Sequence, residues 1–189
     1  MAKRVFFSFH YQDVIDFRAN VVRNHRISKE KAGYFDASIW EDAKKTSNLA
    51  LKKLINKELK NTSTTCILVG SNTYERKWVK YEILKSIEKG NYILAIHING
   101  IRGKDQKTKL RGYNPLDYLG IYKDSENTHY LVEKKDNKWH YYNEVDGDAK
   151  INWLYNKNLS KETTTPLSSI FNIYDWVNND GYNNFDNWL

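Results

Sequence analysis

Trp78 and Glu82 stand four residues apart in KWVKYEILKSIEKGN (77–91), a spacing that places both on one face of a helix. The same helix sets Tyr81 and Lys85 at the surface and turns Ile83, Leu84 and Ile87 toward a core. A lone helical glutamate is ordinarily a solvated residue, and a tryptophan ordinarily packs in a core. Their setting favours chemistry. The preceding run, TTCILVG (64–70), reads as a buried strand, so the first turns of the helix fall at the end of a sheet strand. A carboxylate there, flanked by Trp78 and Tyr81, could meet a sugar ring and its leaving group together.

Other chemistries lack their residues. The five histidines, at 10, 25, 97, 129 and 140, form no close pair or HExxH motif, and His97, at the end of an apolar run, reads as a packed residue and not a metal ligand. Cys66 lies inside TTCILVG and reads as an inert core residue. There is no GxSxG elbow, GxGxxG turn or GxxxxGK[ST] loop. A nucleotide handled by this chain is therefore expected as a substrate and not as a resident cofactor.

The elements that position Glu82 follow from periodicity. RVFFSF (4–9), TTCILVG (64–70) and NYILAIHI (91–98) are apolar runs of strand length. Between them, residues 13–25 carry Val14, Phe17, Val21 and Val22 at helical spacing with Asp13 as N-cap, and 47–61 carry Leu51, Leu54, Ile55 and Leu59 on one face with Ser47 as cap. Residues 71–90 form the helix of Glu82, stopped by Gly90. A brief strand is expected at Tyr34–Phe35. Strands without alternation, separated by helices, imply an α/β fold with a parallel sheet covered on both faces. Ligands of such sheets bind beyond the carboxyl ends of the strands, here Ser8–His10, Phe35–Trp40 and Gly70–Thr73. Beyond residue 99 the chain reads as a polar loop (99–115), a hairpin around KKDNK within 128–145, and a helix through Leu167, Ile170, Ile173, Tyr174 and Val177 ending near Gly181. Residues 1–100 are expected to form the core and 101–189 to complete the same domain.

With 189 residues, 40% of them hydrophobic, the chain can bury a core, and six Trp and fourteen Tyr argue against disorder. One cysteine excludes an internal disulfide framework and fits a reducing cytoplasm. No run approaches the roughly 18 apolar residues of a membrane span. The net charge of +7 suggests an anionic partner. Nucleic acid is not expected, because the lysines lie on helix backs among Glu41, Asp42, Glu58, Glu75 and Glu88 and form no stripe.

RVFFSFHYQD followed by TTCILVGSNTYERKWVKYEI resembles a TIR domain, a flavodoxin-like fold, in which a tryptophan precedes the catalytic glutamate by four residues; Trp78 and Glu82 match. FFSFHYQDV, FDASIWEDAKK, IHIN and YDWVNNDGY are similar to a narrower family, the ThsB TIR-like proteins of bacterial Thoeris anti-phage systems. FDASIWEDAKK stands where most TIR domains carry an Arg-Asp and Pro-Gly signature. The resemblance implies cleavage of NAD at the nicotinamide–ribose bond and formation of a cyclic ADP-ribose-type nucleotide that activates a separate effector. It implies Glu82 as the catalytic residue and no cofactor or metal. Ser8, Phe9, His10, Tyr11, Asp36, Trp40, Trp78 and Tyr81 would surround the substrate, and Arg4 and Lys80 would meet its pyrophosphate. It also leaves room for a phage-derived trigger and for self-association. The alternatives are a TIR scaffold without activity and a nucleic-acid-binding module.

Overall fold

The computed structural model describes residues 4–25, 47–145 and 158–189, and the elements are numbered within these. Three apolar runs form parallel strands: β1 (Val5–Phe9), β2 (Thr64–Val69) and β3 (Tyr92–His97). Each is buried along nearly its whole length, so neither face needs polar residues and the strands do not alternate. The sequence pattern does not foretell the fourth neighbour. Ile173–Asp175 (β8, the last strand in the chain), expected in a helix, instead pairs parallel with β3, giving the order β1-β2-β3-β8.

Helices α1 (Tyr11–Ile15) and α2 (Arg18–Arg23) follow β1, α3 (Asn48–Leu59) precedes β2, and α4 (Lys77–Lys89) joins β2 to β3. Ser47 caps α3 as expected, its Oγ accepting from Ala50 N at 3.1 Å. Gly90 ends α4 at φ 86°, a left-handed conformation that glycine adopts without cost. Two helical expectations need correction. The helix read over 13–25 is broken at Phe17, which has φ 67°, and the break turns Arg18 inward, where it is 1% exposed. Its first part starts at Tyr11, so Asp13 is a buried residue of the first turn and not an N-cap. The helix read from 71 begins only at Lys77, because Thr73 Oγ1 captures Gly70 N–H at 2.8 Å and closes a separate 3-10 turn, Thr73–Glu75.

Beyond residue 114 four strands form an antiparallel sheet, β4 (Leu119–Lys123), β5 (His129–Lys135), β6 (Lys138–Tyr141) and β7 (Thr163–Pro166), in the order β6-β5-β4-β7. The β5–β6 hairpin is the one legible in KKDNK. Asp136 and Asn137 both take positive φ, as a two-residue turn of right-handed twist requires. β8 (Ile173–Asp175) then enters the parallel sheet. The chain turns there through Asp175, whose carboxylate accepts from Val177 and Asn178 N–H at 3.0 and 2.9 Å. Gly181 opens the last helix, α5 (Gly181–Trp188), and does not close one.

Two apolar layers enclose the parallel sheet. On one face Phe6, Ile67, Val69, Ile93 and Ala95 meet Leu51, Ile55, Val79, Ile83 and Ile87 of α3 and α4, together with Leu119, Ile121 and Leu131 of the antiparallel sheet. On the other, Phe7, Cys66, Leu68, Leu94 and Ile96 meet Ala19, Val22, Phe185 and Trp188. Cys66 is fully buried, and burial pushes its thiol pKa up, as an inert core cysteine requires. No helix among the described residues is long and apolar enough to cross a membrane.

Candidate functional site

Side chains of β1 alternate between the two layers, so Ser8 points toward α4 while Phe7 and Phe9 face the other way. Glu82, one helical turn beyond Trp78, looks back from α4. The two meet: Ser8 Oγ donates to Glu82 Oε2 at 2.5 Å, across 74 residues of sequence. Both are buried, Ser8 fully and Glu82 with 4% exposure. The helix that carries the carboxylate is fixed in turn. Ser86 Oγ donates to Glu82 O at 2.6 Å, and Thr65 Oγ1 of β2 donates to Ser86 Oγ at 2.8 Å. A polar seam thus holds this stretch of α4 against the strands.

A cleft of about 290 Å³ opens where the carboxyl end of β1 faces the start of α4. Phe9, His10, Tyr11 and Gln12 form one wall, and Arg76, Lys77, Trp78 and Val79 the other. Its size is close to the lower bound for pockets that take drug-sized ligands, enough for part of a dinucleotide. Of the residues singled out by sequence, Phe9, His10, Tyr11 and Trp78 line the cleft; Ser8 and Glu82 are not lining residues, and lie behind it, Ser8 directly before Phe9 and Glu82 one helical turn beyond Trp78 and Val79. Arg23 stands 4.9 Å from the Phe9 ring centre, a cation–π contact that steadies this ring.

Tyr81 does not belong to the cleft. It is 2% exposed, its hydroxyl donates to Asn56 Oδ1 of α3 at 3.1 Å, and its ring meets Trp78 edge-on at 5.9 Å. The phenol satisfies its polar tip inside the α3–α4 contact, so the surface position expected for it is corrected. Arg4 precedes β1 and lies at the opposite end of the sheet from the cleft. Lys80 is half-buried and engaged with Glu133 at 3.4 Å. Arg76 and Lys77 are the cations of the cleft wall, and Lys77 is also paired with Glu144 at 2.9 Å. Asp36, Trp40 and the brief strand at Tyr34–Phe35 lie outside the described residues.

Trp78 is half-buried, packed against the core margin and open to the cleft. Trp78→Ala should therefore cost about 1–2 kcal/mol of stability, less than the 3–5 kcal/mol of a fully buried aromatic, while activity falls much further. Chemical denaturation beside turnover checks this. Equal losses in the two measurements would mean that the ring serves packing alone.

His97 is 3% exposed, and burial with help from Arg111 pushes its pKa down to about 4, against the pull of Asp175 and Asp117. It is a neutral packed residue at neutral pH. Among the described residues no group of three or more His, Cys, Asp or Glu side chains could hold a metal ion. Arg76 and Gln12 are the functional candidates that sequence reasoning passed over. Their only signal was adjacency to Lys77–Trp78 and to Tyr11.

A family model for the Thoeris protein ThsB, TIR-like domain, matches residues 6–102. A protein of Bacillus cereus (strain MSX-D12), named "Putative cyclic ADP-D-ribose synthase ThsB1", is 53% identical over 193 residues, covering 100% of this chain and 100% of that protein.

Proposed function

This chain belongs to the ThsB TIR-like family of Thoeris proteins, and from that premise we propose that it cleaves NAD at the nicotinamide–ribose bond and makes a cyclic ADP-ribose-type signalling nucleotide. One observation carries the mechanism: a buried carboxylate, Glu82, is oriented by Ser8 beside a cleft walled by aromatic rings.

Nicotinamide is a cation in NAD. When the C1′–N bond breaks, the electron pair leaves with the ring and neutralises it, and positive charge develops on the ribose. A carboxylate beside the ribose opposes that charge most strongly where water is excluded. Ser8 keeps Glu82 in one orientation before substrate arrives, so little reorganisation is needed at the moment of cleavage. Trp78, Tyr11 and Phe9 enclose the base and sugar. Closing a ring instead of adding water requires an internal nucleophile held near C1′, and proximity of that kind supplies effective concentrations on the order of 10⁵ M or more. Arg76 takes the pyrophosphate. Removing it should raise KM for NAD about 10-fold, or roughly 1.4 kcal/mol, with little change in kcat. An unchanged KM in Arg76→Ala would place the pyrophosphate elsewhere.

The nucleotide then activates a separate effector in the same cytoplasm. A phage-derived trigger and self-association bring the enzyme to activity, and no resident cofactor takes part. The deciding experiment is mass spectrometry of nucleotides and free nicotinamide from phage-infected cells expressing the chain. Accumulation of a cyclic ADP-ribose-type product over cells lacking the chain is expected. Effector activation with no new nucleotide would leave the chain as a TIR scaffold.

A further inference from the structure

The cleft has room for only part of a dinucleotide. At about 290 Å³ it falls just below the range of pockets that enclose a drug-sized ligand, and a dinucleotide is larger than such a ligand. With the nicotinamide half inside and the pyrophosphate at Arg76 on the cleft wall, the adenosine half has to rest on the surface beyond Arg76. The chain immediately before Arg76 is the 3-10 turn Thr73–Glu75, and the Thr73 carbonyl accepts from Arg76 N–H at 3.2 Å.

Three tyrosine rings gather at this turn. Tyr74 meets Tyr113 edge-on at 5.2 Å and Tyr118 at 5.2 Å, and Tyr113 and Tyr118 stand 6.2 Å apart. Tyr74 is two residues from Arg76, so their Cα atoms are at most about 7 Å apart. The backbone under the rings is fixed. Gly112, before Tyr113, lies on the carboxyl end of β2, where a Cβ would stand 2.1 Å from Gly70 O, and Ser71 Oγ donates to Leu110 O at 2.7 Å. Asn114 Oδ1 accepts from Leu116 N–H at 3.0 Å and holds the turn Pro115–Asp117 that presents Tyr118. The Tyr74 hydroxyl donates to Glu75. Yet the cluster is not covered. Tyr113 is 64% exposed, and Tyr74 and Tyr118 are half-buried. Aromatic rings that serve packing alone are normally buried. These stand open to solvent on a rigid base, at the sheet edge where ligands bind and beside a cation of the cleft wall.

Resting on the NAD-cleaving reading above, we propose that the Tyr74–Tyr113–Tyr118 cluster seats the adenine ring of the dinucleotide, with Tyr113 supplying the exposed stacking face. The substrate then runs from the aromatic cleft, along Arg76, to the tyrosines. Each base ends on aromatic rings, and the diphosphate between them meets the guanidinium. Stacking suits an uncharged purine, which has a broad π-face and needs no buried polar partner. Contacts to this remote half add binding energy that helps hold the ribose in place for cleavage. Tyr113 and Tyr118 lie beyond the 6–102 segment that matches the TIR-like family model, so the seat comes from the chain after β3. It is the seat for capture and for departure of nicotinamide. Ring closure afterwards swings the adenosine half back toward C1′, and a stack open to solvent releases it readily.

The probe is 1,N6-etheno-ADP, a fluorescent adenosine diphosphate that carries no nicotinamide, and its anisotropy reports binding to the purified full chain without any turnover. Wild type should bind it saturably. Tyr113→Ala should weaken binding about 10-fold, within the range for loss of one base–aromatic stack, and Tyr113→Phe should not, because the ring face is kept. Arg76→Ala should weaken it by a similar factor. Tyr141→Ala removes a tyrosine of similar exposure, 57%, from the antiparallel sheet and should change nothing. Because Tyr113 is exposed, its variants should unfold with wild-type thermal midpoints. No saturable binding by wild type up to about 10 mM, a Tyr113→Ala affinity equal to wild type, or an equal loss in Tyr141→Ala overturns the proposal. So does a loss through Tyr113 without one through Arg76, since the ligand would then not run toward the cleft. Failure of the underlying reading looks different: lysate from phage-infected cells expressing the chain would release no nicotinamide from NAD, while etheno-ADP binding and its dependence on Tyr113 persist.

Discussion

Glu82→Gln should abolish nucleotide formation, with a loss on the order of 10³-fold, and leave the fold intact. A unit charge about 4 Å from the developing positive charge contributes roughly 4 kcal/mol at an effective dielectric constant near 20. Each 1.36 kcal/mol of barrier is a factor of ten in rate, which gives the stated loss. The substitution keeps size and shape. Its carbonyl oxygen still accepts from Ser8 Oγ, which donates to the carboxylate at 2.5 Å in the native protein, and the bond from Ser86 Oγ to the Glu82 backbone carbonyl is untouched. Circular dichroism and thermal unfolding should therefore match wild type. Near-normal amounts of nucleotide in infected cells expressing the variant would refute the charge-based mechanism. Ser8→Ala should have a smaller effect, because it loosens the carboxylate without removing it.

Arg18→Ala should be the most destabilising single change outside the hydrophobic core, by about 3–5 kcal/mol. The guanidinium is 1% exposed. Its Nε donates to Ile101 O at 3.0 Å, its NH2 group to Lys107 O at 2.6 Å, and it pairs with Asp16 at 3.2 Å. Truncation strands the buried carbonyl of Ile101 and leaves a void, while the Lys107 carbonyl, at the surface, keeps the Gly103 N–H, and stranding a buried acceptor costs more than the hydrogen bond itself contributed. Lysine should not rescue, because a point charge cannot reproduce a planar fork that reaches two carbonyls and a carboxylate together. Gly103 packs against the same guanidinium, a Cβ there standing 2.6 Å from its nitrogens, so Gly103→Ala should lose part of the same stability. Chemical denaturation is the measurement. Arg18→Ala within about 1 kcal/mol of wild type would show that the 99–109 loop is held by other contacts.

The parts of this fold that could be read from the chain alone are those whose physics is local. The apolar runs of β1, β2 and β3, the capped amphipathic helix α3, the glycine stop of α4 and the Asp136-Asn137 turn each depend on a few adjacent residues, and each was legible. Helical spacing alone likewise sets Trp78 and Glu82 one turn apart on α4. The family resemblance rested on the same segments.

The rest depends on contacts between residues distant in the chain. No periodicity could join Ser8 to Glu82 across 74 residues, or tie Arg18 to carbonyls at 101 and 107. The pattern through Leu167, Ile170 and Ile173 fits a helix, yet the open edge of β3 supplied hydrogen-bond partners that local propensity could not outweigh, and Ile173–Asp175 became a strand. Tyr81 can serve equally well inside a protein or at its surface, and the presence of Asn56 opposite its hydroxyl put it inside. The cations of the cleft are Arg76 and Lys77, and not Arg4 or Lys80, because strand direction sends Arg4 to the far end of the sheet and Glu133 of the antiparallel sheet engages Lys80. Asp13 read as a helix cap until the fold laid it over Gly70, where burial changes its proton affinity.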